Sequence, residues 1–73
     1  MGKIDLHGVK HEDVARLLDP FIWQNMKLGI RYIEIVTGNS DSMKKVVNDI
    51  LSEYGYVSEQ SLTNSGTLYV TLD

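Results

Sequence analysis

Asp5 and His7 stand two residues apart inside Ile4-Asp5-Leu6-His7-Gly8, and thirty residues beyond His7 the chain reads Thr37-Gly38-Asn39-Ser40. In an extended segment alternate side chains share a face. Asp5 and His7 then project together, roughly 6.5 to 7 Å apart along the strand, while Ile4 and Leu6 project toward a core. A carboxylate beside an imidazole can fix its tautomer and stabilise its protonated form, which prepares a histidine for proton transfer. The competing use is structural, with His7 capping a helix end or bonding a backbone carbonyl. Gly8 lets the chain turn sharply after the pair.

The second motif combines turn formers with good N-caps, Thr37-Gly38-Asn39-Ser40-Asp41-Ser42, directly before a helical pattern. The first backbone N–H groups of a helix lack intrahelical partners, and with the helix dipole they form an anion site. Gly38 allows a phosphate close to that backbone. The plainer alternative is a capped loop. Lys3, Lys10, Lys44 and Lys45 flank the two turns, whereas Lys27 and Arg31 fall near the other end; Lys44 and Lys45 are the candidates to hold a phosphate. His11 is either a second proton-transfer group or an exposed residue at a helix start. Asp5, His7 and His11, without cysteine or a His-x-x-x-His pattern, make a poor ligand set, and no metal ligand is assigned.

The elements that carry these motifs follow from periodicity. Residues 3–8 read as a strand. From His11 to Leu28 the positions Val14, Leu17, Leu18, Phe21, Ile22 and Met26 repeat with helical spacing, and Gly29 suits a left-handed cap. Pro20 removes one hydrogen bond and predicts a bend near residues 16–20. Residues 31–36 form a second strand with Ile33 and Ile35 on one face and Tyr32, Glu34 and Val36 on the other. A second helix carries Met43, Val46, Val47, Ile50, Leu51 and Tyr54 on one stripe and ends at Gly55. Residues 56–62 and 67–72 read as a hairpin around Thr63-Asn64-Ser65-Gly66.

The order is βαβαββ, an α/β chain folding as an α+β two-layer sandwich. Right-handed crossovers make the first two strands parallel and put both helices on one face of a four-stranded mixed sheet. The other face stays open, with Tyr32 and Tyr69, and less firmly Trp23, available for base stacking or for a dimer contact. Ligands in such sheets bind beyond the carboxyl ends of the parallel strands, where Asp5, His7, Gly8 and residues 37–42 meet.

Seventy-three residues make a single domain with a thin core, worth at most about 3 to 5 kcal/mol. The chain has no cysteine, which removes disulfides and thiolate zinc sites. No apolar run reaches the ~20 residues of a membrane span, and a soluble, cytoplasmic protein is expected. A net charge of −3 argues against a large non-specific nucleic-acid surface, so any phosphate contact is local.

The two motifs, in this order and at this separation, resemble the Smr (small MutS-related) domain family, whose pattern opens on Leu-Asp-Leu-His-Gly and has Thr-Gly-x-Gly after the second strand. The likeness extends over essentially the whole chain. It implies a βαβαββ fold similar to the C-terminal domain of translation initiation factor three, and DNA nicking or RNA cleavage, in some members on stalled ribosomes. By matching position, Asp5 and His7 would be the catalytic pair, and Gly8, Thr37 and Gly38 would shape a pocket for the nucleic-acid backbone. Ser40 replaces the second glycine of the turn, and Asn39 stands where a basic residue is frequent. A Cβ at residue 40 could crowd a phosphate; equally, Ser40 could cap the helix or donate its hydroxyl.

Three readings follow. The first is an endonuclease on RNA or DNA, metal-free or assisted by Mg²⁺ or Mn²⁺, with phosphate held at residues 37–42 and Lys44 or Lys45. The second is a non-catalytic nucleic-acid or protein binding module of the same fold. The third is a dimerisation domain using Tyr32 and Tyr69, so the chain is expected as a monomer or weak dimer. A ribosome or a larger partner protein would deliver the substrate to a domain without basic extensions.

Overall fold

The computed structural model describes residues 2–72. Its elements run β1 (Lys3–Asp5), α1 (His11–Lys27), β2 (Tyr32–Val36), α2 (Asp41–Glu53), β3 (Ser58–Gln60) and β4 (Thr67–Thr71). They form one four-stranded mixed sheet in the order β1-β2-β4-β3. β1 and β2 are parallel, while β4 is antiparallel to both β2 and β3. The expected βαβαββ two-layer architecture is therefore the observed one.

Alternation along the strands separates the layers. Ile33 and Ile35 pair in register with Val70 and Leu68, and all four are buried. Against them pack Val14, Leu18 and Ile22 of α1 and Met43, Val47 and Leu51 of α2. The helical stripes are narrower than the periodicity implied: Leu17 and Met26 are exposed, and Asn25 is buried instead. Asn25 Nδ2 donates to the Phe21 carbonyl at 2.7 Å, inside its own helix, which lowers the cost of burying the amide. Trp23 is exposed on α1 and so belongs to the helix layer, apart from the tyrosines of the open sheet face.

Pro20 lies within α1, which continues across it as a single helix. The core contacts of Val14, Leu18 and Ile22 on either side of the proline offset the lost hydrogen bond. α1 ends as expected, with Gly29 at φ 74°. The first strand is shorter than residues 3–8. It stops at Asp5, because the Asp5 carboxylate accepts the His7 N–H and the Leu6 carbonyl accepts the Val9 N–H, which closes a turn with Gly8 at φ 79°. The first strand of the hairpin is likewise reduced to Ser58–Gln60.

The helices are tied together by one polar contact, the Tyr54 hydroxyl donating to Asp19 Oδ1 at 2.9 Å. Burial, reinforced by this hydrogen bond, raises the Tyr54 phenol above its ordinary 10.0. The folded state thus keeps a proton that the unfolded chain loses, so this contribution is complete below pH 10 and lost as pH rises through the folded-state value. Tyr54→Phe is expected to lower stability at neutral pH by about 1 kcal/mol in urea unfolding, and the gap to wild type should narrow above about pH 10.

Candidate functional site at the carboxyl ends of the parallel strands

The parallel register sets Asp5 beside Val36, and the Leu6 N–H donates to the Val36 carbonyl at 2.8 Å. Two residues further along each chain, His7 meets Gly38. A Cβ built on Gly38 would lie 3.3 Å from His7 Cδ2 and 3.9 Å from Cγ, so the imidazole lies against the glycine and would have to shift slightly to admit a larger residue. The two motifs thus form one site. Asp5, His7 and Gly8 are exposed there.

Asp5 does not hold the imidazole. Its Oδ1 accepts the backbone N–H of His7 at 2.9 Å, an Asx-type turn that fixes where the His7 backbone leaves the strand. The expected carboxylate–imidazole pairing on a strand face is replaced by this arrangement, because His7 already belongs to the turn. Asp5 positions His7 through the main chain.

The second motif splits in two. Thr37 is buried, and its hydroxyl donates to the Gly38 carbonyl at 2.9 Å and, more weakly, to the Gly66 carbonyl at 3.4 Å. The Gly66 carbonyl also accepts the N–H groups of Thr37 and Gly38, at 2.9 and 3.1 Å. Thr37 and the Gly38 amide are therefore bonded to the hairpin loop and hold the turn in place. Gly38 adopts φ 68°. Asn39 and Ser40 are exposed. Ser40 is the N-cap of α2, its Oγ accepting the Met43 N–H at 3.1 Å. Among the described residues, the backbone N–H groups of Asn39, Ser40, Asp41 and Ser42 have no intramolecular hydrogen-bond partner, and these are the donors left for an anion. Asp41, in the first turn of α2, competes for the same positive end of the helix.

Lys44 is half-buried and makes no ion pair among the described residues, while Lys45 is exposed and bonded to Asp49 Oδ2 at 3.2 Å. That i,i+4 pair is solvent-exposed on both sides and weak, so Lys45 can exchange partners at little cost. Among the described residues no group of three or more His, Asp or Glu is arranged to hold a metal ion.

Sequence reasoning missed Ser65 and Gly66 as parts of the site. They are the hairpin turn residues that were expected, and they also brace the second motif, Gly66 through its carbonyl and Ser65 by donating to Asn39 Oδ1 at 3.0 Å. A Cβ on Gly66 would lie 3.5 Å from Gly38 Cα, so the hairpin loop runs close beside the turn. The only trace in the sequence is a pair of small residues before β4.

A family model of the Smr domain matches residues 4–73. The chain belongs to the Smr domain family. The crystal structure of the Smr domain of Thermus thermophilus MutS2 superposes with a TM-score of 0.87 at 14% identity, covering 100% of this chain and 99% of that one. YdaL, a stand-alone small MutS-related protein from Escherichia coli, superposes with a TM-score of 0.85 at 21% identity, covering 97% of this chain. The chain spans 63% of the YdaL chain. No curated protein matches it in sequence. At these identities the structural likeness establishes the fold. No helix of the described residues of this Smr domain is long and apolar enough to cross a membrane.

Ser40→Ala is expected to cost about 1 kcal/mol of stability through loss of the cap, and Ser40→Gly only roughly a few tenths, as read by thermal or urea unfolding. Gly8→Ala and Gly38→Ala share the strain of a positive φ, about 1 kcal/mol or more each. Only Gly38→Ala should also displace the imidazole, because a Cβ on Gly8 meets nothing within 4 Å. The His7 ring Hδ2 resonance should shift in Gly38→Ala and stay in place in Gly8→Ala.

Proposed function

We propose that this Smr domain is a small endonuclease acting on RNA or DNA at the strand-end site. The observation that carries the reading is the exposed His7 imidazole lying against Gly38, next to the unpartnered N–H groups of residues 39–42. A proton-transfer group thus adjoins donors suited to a phosphate. Lys44, and Lys45 after release from Asp49, would add positive charge at the same helix end. Asp5 would act as a positioning residue through its bond to the His7 main chain. Gly8, Thr37 and Gly38 would shape the turns, and Asn39 and Ser40 would contribute amides and a hydroxyl.

On RNA the chemistry is self-contained. His7 would take the proton from a 2′-hydroxyl, the 2′-oxygen would attack phosphorus, and the P–O5′ bond would break with the 5′-oxygen gaining a proton from water. This leaves a 2′,3′-cyclic phosphate and a 5′-hydroxyl.

A specific observation also favours the second reading, a binding module. Among the described residues no carboxylate side chain bonds the imidazole, and Asp41 adds a negative charge to the first turn of α2. The substrate would then be held and not cut.

Labelled single-stranded RNA and nicked and supercoiled DNA, each with Mg²⁺, Mn²⁺ or EDTA, separate the two. The endonuclease reading expects cleavage by wild type and a loss of at least about 100-fold in His7→Ala with binding retained. Binding without cleavage on every substrate, weakened in a Lys44→Ala/Lys45→Ala variant and steeply salt-dependent, would establish the module instead.

A further inference from the structure

The sheet face turned away from the helices carries residues that the strand-end chemistry does not use. Lys3, Glu34, Tyr69 and Glu59 form one row across β1, β2, β4 and β3, since Lys3 pairs with Glu34, Glu34 with Tyr69, and Tyr69 with Glu59. With neighbouring strands ~4.8 Å apart, the two glutamate Cα atoms are about 10 Å apart with the Tyr69 ring between them. Tyr32 stands two residues from Glu34 on the same face and is 70% exposed. These side chains line an open groove of about 610 Å³. Neither glutamate makes an ion pair or a side-chain hydrogen bond among the described residues.

We propose that this groove docks a basic protein segment, seating its Lys or Arg side chains over Tyr32 and Tyr69 between the carboxylates of Glu34 and Glu59. Charge complementarity selects the occupant. Among the described strand residues, the row bears Lys3 against Glu34 and Glu59, with Asp5 at the end of the same strand face. Nucleic acid would bring phosphates onto carboxylates, and a second copy across a two-fold axis would oppose two acidic faces. An anionic lipid surface meets the same repulsion. A guanidinium or ammonium instead gains ring faces by cation–π attraction and carboxylates by hydrogen-bonded pairing. The site is separate from the strand-end pocket, so nucleic acid and a basic partner could be held together, and the proposal stands whether or not that pocket cleaves.

The test is a titration of the ¹⁵N-labelled full chain with a hexa-arginine peptide, with hexaglutamate as the control. The expected result is saturable shifts confined to the amides of Tyr32, Glu34, Glu59, Tyr69 and Thr71. Affinity should fall about tenfold in Tyr32→Ala and in Glu34→Gln/Glu59→Gln, whose spectra elsewhere match wild type. Tyr32→Ala isolates the aromatic contribution, because it removes no charge. No binding, shifts spread over the acidic helix surfaces, or unchanged affinity in Tyr32→Ala would overturn the proposal. It would equally fall if these amides moved with protein concentration alone, which assigns the face to a second copy, or with single-stranded RNA, which assigns it to nucleic acid.

Discussion

The parallel pairing of β1 with β2 in a single register is the constraint on which the site depends. With Asp5 beside Val36, the two strands end at the same level and their continuations, His7 and Gly38, come into contact. A slip of one residue would turn Ile4 out of the helix-covered layer and carry His7 past the glycine, so core and site are specified by the same hydrogen bonds. Burial of Ile33, Ile35 and Leu6 supplies the penalty for leaving that register.

The hairpin secures the same place from the other side. Two main-chain donors and the Thr37 hydroxyl converge on the Gly66 carbonyl, and the hairpin loop runs close beside the turn. Glycine is called for at Gly38, because its φ of 68° disfavours a side chain and a Cβ there would press on the His7 ring. The turn before α2 is therefore rigid on its strand side and open on its helix side. That division leaves residues 39–42 with free donors while Thr37 and the Gly38 amide are consumed in support.

Charge differs between the two surfaces of interest. The α2 N-terminus mixes amide donors and Lys44 with Asp41 and a Lys45 bonded to Asp49, whereas the open sheet face presents Glu34 and Glu59 around Tyr69. The net charge of −3 is therefore unevenly spread over the surface.

Amino-acid pattern alone determined the element order, the two-layer sheet with both helices on one side, and the residues of the two motifs. These are properties of local spacing: period two in β2 and β4, the helical stripes of α1 and α2, and glycines at Gly8, Gly29, Gly38 and Gly55 where positive φ was needed. It also led to the Smr family, since Ile4-Asp5-Leu6-His7-Gly8 and Thr37-Gly38 are contiguous in the chain. Tertiary structure alone decided that Asp5 holds the His7 backbone, that Thr37 is buried support, and that Gly66 braces Gly38 from 28 residues away. It also decided that Asn25, and not Leu17 or Met26, turns into the core. The physical reason is that a side chain with several available acceptors or neighbours is assigned by which of them arrives first in space, and that depends on how the strands register, which no local pattern records.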